Sequence, residues 1–147
     1  MHTIRLLSHG LIDADRFMDY DERARMWKIT DTVRFIFPAE YEVNTCIGRH
    51  WRSSGTDNSL TVSVGYEWDG ASGPTFDSPP TRVASLIHDL ICDSGATGGY
   101  VIRSYFARHS LYRKLLKEQG APAWRANMHF VALILFNKVH ELKERLT

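Results

Sequence analysis

A segment rich in glycine and proline, residues 69–80, separates two halves of the chain with different hydrophobic periods. It contains two glycines and three prolines in twelve residues, too many for a helix or a strand to continue through it. We therefore predict a loop here, with a β-rich region before it and helices after it.

Before the loop, apolar and polar residues alternate, which is the period of a half-buried strand. Residues 26–37 show this alternation and predict a strand or a hairpin. Residues 46–51 and 60–66, rich in β-branched and aromatic side chains, flank a linker at 53–58 with strong turn chemistry. This arrangement predicts a β-hairpin.

After the loop, the hydrophobic period becomes helical. Apolar residues at 83, 86, 87, 90 and 91 predict a core-facing helix that begins at Pro80 or Thr81. A second helix is predicted over about 101–119, ended by Gly120. A third begins near Ala123, and we expect its apolar first half to pack and its charged end to lie in water. The predicted class is α+β, with N-terminal hairpins or a small antiparallel sheet followed by three helices.

The length of 147 residues and the 44% apolar content fit one domain over 1–147, divided into β-rich 1–68, loop 69–80 and helical 81–147. A formal net charge of +1 produces no overall field that would favour nucleic acid, so no nucleic-acid partner is predicted.

No targeting or membrane segment is predicted. The first ten residues contain no apolar stretch typical of a signal peptide. The most apolar run, residues 130–136, is too short to span a bilayer of about 30 Å. The two cysteines, at 46 and 92, fit neither a metal knuckle nor a disulfide framework.

The dipeptide His88-Asp89 is the main candidate for chemistry. On the predicted first helix both residues lie off the apolar stripe and point in diverging directions. Asp69, from the loop, can share a cation with Asp89, and backbone carbonyls near Gly70 can complete its shell. Such hard oxygen ligands favour Ca²⁺. The alternative is a solvated polar pair beside an ordinary Asp-Gly turn.

His109 lies among Tyr105, Tyr112 and Leu116 on the apolar face of the predicted second helix. A histidine in this position is either a satisfied core residue or a partner for the first helix. Both interpretations remain open from the residues alone.

Several short motifs resemble the domain-of-unknown-function family 1353, which is found mainly in tailed bacteriophages and prophages. The run GYEWDGASGPTFDSPPTRVASLIHDLICD carries the Asp-Gly-Ala-Ser loop motif and the His-Asp helix, and Gly120 to Trp124 carries the third motif. The resemblance implies a phage protein that acts in the host cytoplasm or in the virion, with other virion proteins as possible partners.

The same arrangement is similar to secreted prokaryotic phospholipase A2. This resemblance implies that His88 is the catalytic base and that Asp69, Asp89 and the carbonyl of Gly70 bind Ca²⁺, with a phospholipid or acyl ester as substrate. The aspartate that orients the histidine in that family falls on His109 here, and the bracing disulfide cysteines are missing. The resemblance therefore implies a weak or degenerate calcium-dependent ester hydrolase. The alternative is a non-enzymatic virion or tail protein on the same scaffold.

Overall fold

Strands occupy the first half of the chain and helices the second. The computed structural model describes residues 1–8, 10–68, 79–93 and 99–146. In these ranges every strand lies before the predicted loop and every α-helix begins near or after its end, so the predicted α+β class is confirmed. The strands are β1 (His2–Arg5), β2 (Met18–Asp21), β3 (Met26–Ile29), β4 (Val33–Ile36), β5 (Cys46–Gly48), β6 (Trp51–Ser54), β7 (Ser59–Val62) and β8 (Glu67–Trp68), and the α-helices are α1 (Pro79–Cys92), α2 (Tyr105–Glu118) and α3 (Ala123–Leu146).

The strands form two sheets. The larger has the order β1-β4-β7-β6-β5, and the smaller has the order β2-β3-β8. Strand β1 pairs with β4 in parallel, whereas all other pairs are antiparallel. In β4, Val33 and Phe35 are buried while Arg34 and Ile36 are partly exposed, as the alternating sequence predicts.

Two strand predictions need correction. The segment 26–37 is neither one strand nor a hairpin, because β3 and β4 belong to different sheets and pair with other strands. The hairpin over the 53–58 linker forms, but its first strand is β6 rather than residues 46–51. The chain already reverses between Gly48 and Trp51, which are paired across β5 and β6, and His50 has a φ of 64° in that turn.

The smaller sheet lies against the first turns of α1. The ring of Trp27 in β3 stacks on the ring of Trp68 in β8, with 6.3 Å between centroids. The guanidinium of Arg82, on α1, lies 4.2 Å from the centroid of the Trp27 ring and pairs with Asp15 at 3.0 Å. Strand β8 therefore ends near α1, since Trp68 lines a groove together with His88 and Asp89 of that helix.

The first helix buries its predicted apolar stripe. Leu86, Ile87, Leu90 and Ile91 each expose 0% of their surface. The helix begins at Pro79, so the last two residues of the predicted loop belong to it. Proline is compatible with this position because the backbone N–H groups of the first helical turn make no hydrogen bond within the helix.

The second helix starts later than predicted and ends where predicted. Its N-cap is Ser104, whose hydroxyl accepts a hydrogen bond from the backbone N–H of Ala107 at 3.2 Å. The buried residues Val101 and Ile102 precede the helix instead of beginning it. The end lies at Gly120, whose φ of 96° suits glycine.

The C-terminal end of α2 binds the N-terminal part of the chain. The amide oxygen of Gln119 accepts a hydrogen bond from the backbone N–H of Ile12 at 2.9 Å. The amide nitrogen of Gln119 donates to the carbonyl of Gly10, also at 2.9 Å. Glu118 accepts from the backbone N–H of Leu7 at 3.1 Å. The chain segment after β1 is thus held by side chains from the helical half.

The third helix corrects a further prediction. Its first half contains buried Ala126 and His129, but much of its apolar surface is exposed instead of packed. No described helix combines the length and apolar character that a membrane crossing requires. The exposed large apolar residues of α3, called the α3 apolar row below, are Trp124, Met128, Val131, Leu135, Phe136, Val139, Leu142 and Leu146.

Candidate functional site

The packing of α1 against α2 brings His88 and His109 into contact. Nε2 of His88 lies 2.9 Å from Nδ1 of His109, a hydrogen-bond distance. His88 is partly exposed, whereas His109 exposes only 4% of its surface. His109 is therefore both a core residue and a partner for the first helix, because it is buried and its ring contacts His88.

Cys92, which the sequence did not predict as a site residue, lies beside these two histidines. It lies one turn after His88 on α1, and its Sγ is 3.4 Å from Nε2 of His88. The three donor atoms of His88, Cys92 and His109 all lie within 4.8 Å of one another. The available signal was the spacing of four residues between His88 and Cys92, which places two side chains on the same helix face.

Aromatic side chains hold the histidine rings. The ring of Tyr112 packs on the ring of His88, with 4.6 Å between centroids, and the ring of Tyr105 lies edge-on to His109 at 6.1 Å. Tyr112 also stacks on His129 of α3, and its hydroxyl is 3.5 Å from Nδ1 of that residue. Tyr112 of α2 thus lies between His88 of α1 and His129 of α3 and contacts both rings.

Burial controls the charges in this cluster. Burial, together with nearby His109 and Arg108, lowers the pKa of His88 from 6.5 to about 3. Burial and Arg108 also lower the pKa of His109. Burial raises the pKa of the Cys92 thiol to about 11; Asp89 acts in the same direction and Arg108 opposes it. All three side chains are therefore neutral at pH 7.

Asp89 lies at a surface groove beside the cluster. The groove is lined by His88, Asp89 and Cys92 of α1 together with Glu67, Trp68 and Asp93. Asp89 is partly exposed. The proposed calcium ligands Asp69 and Gly70 lie outside the described residues, but Trp68, which directly precedes them, lines the same groove.

The donor atoms separate into two chemical types. The groove is lined by the carboxylates of Glu67, Asp89 and Asp93, hard oxygen donors of the kind that Ca²⁺ prefers, but these described residues do not come together as a group of metal ligands. The cluster, of which His88 and Cys92 also line the groove, carries two imidazoles and a thiol, which suit a transition metal and do not suit calcium. A neutral His88 can also accept a proton from water.

Comparisons with known proteins give one match. The search of curated proteins and the search of solved structures each find none. The family model described as "Protein of unknown function (DUF1353)" matches residues 47–133. Since this match covers more than half of the chain, the protein belongs to the DUF1353 family.

Proposed function

We propose that this protein is a weak calcium-dependent hydrolase of acyl esters, of the phospholipase A2 type, encoded by a tailed bacteriophage or prophage. The contact of 2.9 Å between Nε2 of His88 and Nδ1 of His109 carries the proposal. It supports the proposal because the resemblance to phospholipase A2 implies that a second-helix residue at position 109 orients the catalytic histidine. The phage origin rests on the resemblance to the domain family.

The tautomers of the two histidines define a route for the proton. When Nε2 of His88 carries the proton and donates to Nδ1 of His109, Nδ1 of His88 has a free lone pair. In the described part of the chain, no hydrogen bond reaches that Nδ1 atom. His88 lines the groove, so we assign to its Nδ1 the removal of a proton from the attacking water.

Calcium would bind in the groove in front of His88. Asp89, Asp69 and the carbonyl of Gly70 would hold it, and the further carboxylates that line the groove agree with this donor chemistry. When bound, the ion polarises the ester carbonyl and stabilises negative charge on its oxygen.

The same geometry explains why the activity would be weak. A histidine with a pKa of about 3 is a poor base at pH 7, because proton transfer to it is unfavourable. His109 is neutral and can orient the ring of His88, but it stabilises the positive ring less than a carboxylate would.

Hydrolysis assays test this proposal. Phospholipid vesicles and simple acyl esters are incubated with the full chain in Ca²⁺ or in EDTA. We expect slow hydrolysis that EDTA abolishes and that His88→Gln lowers by at least about 100-fold. The matched control is His140→Gln, a change at an exposed histidine on α3. Hydrolysis that persists both in EDTA and in His88→Gln contradicts the proposal.

A second candidate function, a non-enzymatic virion or tail protein, is favoured by the α3 apolar row. Phe136 is 70% exposed and Leu135 is 59% exposed, although large apolar side chains normally lie in a core or an interface. In this function α3 packs against another virion protein.

Two measurements discriminate between the candidates. The first is calorimetry with millimolar Ca²⁺. If Asp69 is a calcium ligand, the wild type should bind Ca²⁺ and Asp69→Asn should bind it more weakly. Absence of binding, together with stoichiometric copies in purified particles, supports the virion protein. Incorporation should then fail for Leu135→Glu and survive for Lys138→Glu, a control on the same helix.

A further inference from the structure

We propose that His88, Cys92 and His109 form a zinc site that is separate from the calcium ligands. The donors are Nε2 of His88, Sγ of Cys92 and Nδ1 of His109, which lie within 4.8 Å of one another. Nothing in the resemblance to phospholipase A2 assigns a metal to these atoms.

The distances fit a tetrahedral ion after a small adjustment. Zinc binds nitrogen at about 2.0–2.1 Å and sulfur at about 2.3 Å, so two ligands of one ion lie about 3.3 Å apart for two nitrogens and about 3.6 Å apart for nitrogen and sulfur. The corresponding distances here are 2.9 Å between the histidine nitrogens and 3.4 Å between His88 and Cys92. The third pair, Sγ of Cys92 and Nδ1 of His109, lies within 4.8 Å, so side-chain shifts of up to about 1 Å place all three donors around one ion.

The helices hold the ligands in place. His88 and Cys92 are one turn apart on α1, so a rigid backbone sets their separation. His109 comes from α2 and is buried. Contacts with Tyr112 and Tyr105 restrict the two imidazole rings. Ligands restricted in this way lose little conformational freedom when a metal binds.

The ligand chemistry selects zinc over calcium. Imidazole and thiolate are ligands for zinc and related transition metals, whereas calcium requires oxygen. Three protein ligands leave a fourth position for water. Binding forms the zinc–sulfur bond and two zinc–nitrogen bonds, releases the thiol proton to solvent, and shifts the proton of His88 from Nε2 to Nδ1.

Zinc and the hydrolytic arrangement exclude each other. The ion takes the Nε2 and Nδ1 atoms that make the hydrogen bond between His88 and His109. The zinc form would therefore be inactive as an esterase. The zinc site uses the same two histidines, but its third ligand, Cys92, and its metal have no part in the proposed hydrolysis, so zinc binding can be tested without that activity.

Cobalt(II) serves as the spectroscopic probe for zinc. The reduced full chain is titrated with Co²⁺ in the absence of chelators. We expect one ion per chain and a thiolate-to-cobalt charge-transfer band in the near ultraviolet. Stoichiometric Zn²⁺ should remove this band, whereas millimolar Ca²⁺ should leave it unchanged. Absence of the band overturns the proposal whether or not the protein hydrolyses esters.

Variants identify the ligands. Cys92→Ser should abolish the band, and His109→Gln should weaken cobalt binding by more than the roughly 10–100-fold typical for loss of an outer-shell partner. Cys46→Ala is the matched control, because Cys46 is the other free cysteine and lies in β5. A band that survives Cys92→Ser, or one that Cys46→Ala removes, overturns the assignment.

A measurement on the wild type covers the case in which Cys92→Ser does not fold. Alkylation of the native protein at pH 9 is followed by mass spectrometry, with and without Zn²⁺. Zinc should slow the alkylation of Cys92 at least about tenfold, because a metal-bound thiolate is withdrawn from reaction. An unchanged rate at Cys92 overturns the proposal.

Discussion

The first and third helices both contain many large apolar residues, but they use them differently. In α1 the stripe at 86, 87, 90 and 91 is fully buried. In α3 the apolar row faces solvent, and within the described elements this helix packs mainly on α2.

The difference shows that apolar content alone does not decide burial. In α1 the apolar residues occupy one face, and the remainder of the helix carries polar groups such as Arg82, His88 and Asp89. In α3 they surround a larger part of the helix, so one neighbouring helix cannot cover them all. The covered helix pair holds the candidate chemistry, and the uncovered helix offers a surface for a partner.

The largest expected effect is on stability. Leu90→Ala in α1 should lower the free energy of unfolding by about 2–5 kcal/mol, because Leu90 is fully buried. Leu135→Ala in α3 should change it by about 0.5 kcal/mol or less, because Leu135 is 59% exposed. Urea unfolding followed by circular dichroism measures both. If Leu90→Ala and Leu135→Ala lowered the free energy of unfolding equally, the difference between α1 and α3 would be contradicted, since Leu135 would then be buried in solution.

A smaller effect is expected on the pH dependence of the free energy of unfolding. The folded state lowers the pKa of His88 from 6.5 to about 3, so the unfolded chain takes up a proton that the folded chain refuses. This contribution to stability is complete above pH 6.5 and is lost as the pH falls from 6.5 towards 3. His88→Gln should weaken the acid dependence of the unfolding free energy, whereas His140→Gln on α3 should leave it unchanged. Identical pH profiles for all three proteins would contradict the role of burial at His88.

The smallest expected effect is an increase in kcat, and it rests on the proposed hydrolysis. His109→Asp places a carboxylate opposite His88, where it raises the pKa of that base and stabilises its protonated form. We expect kcat for ester hydrolysis to rise about tenfold or more. The control is His140→Asp, which introduces the same residue on α3. A kcat unchanged by His109→Asp would show that position 109 does not orient the base.

Local patterns predicted the parts of the fold that depend on nearby residues. The buried stripe of α1, the end of α2 at Gly120 and the hairpin of β6 and β7 all follow from spacing or turn chemistry. The parallel pairing of β1 with β4 did not follow, because an alternating strand can pair with any partner of similar pattern. The exposure of α3 was missed for a related reason, since periodicity does not reveal how many neighbours a helix will have.

The candidate site was predictable in part. The resemblance to phospholipase A2 implied that position 109 faces His88, whereas the residues alone left this open, and the two rings lie in hydrogen-bond contact. Cys92 was not predicted as a site residue because the two cysteines of the chain do not form a metal-knuckle spacing, although the spacing of four residues between His88 and Cys92 places both on one helix face. The calcium roles of Asp69, Gly70 and Asp89 remain predictions.

The hydrogen bonds of Gln119 to the N-terminal part of the chain can form only after α2 has been synthesised. They join Gln119 to Gly10 and Ile12, residues 109 and 107 positions away. Because the N-terminus emerges first, the segment after β1 has to wait for α2 before it acquires these partners. A nascent chain that stops short of Gln119 therefore leaves Gly10 and Ile12 without these hydrogen bonds, although β1 can already pair with β4.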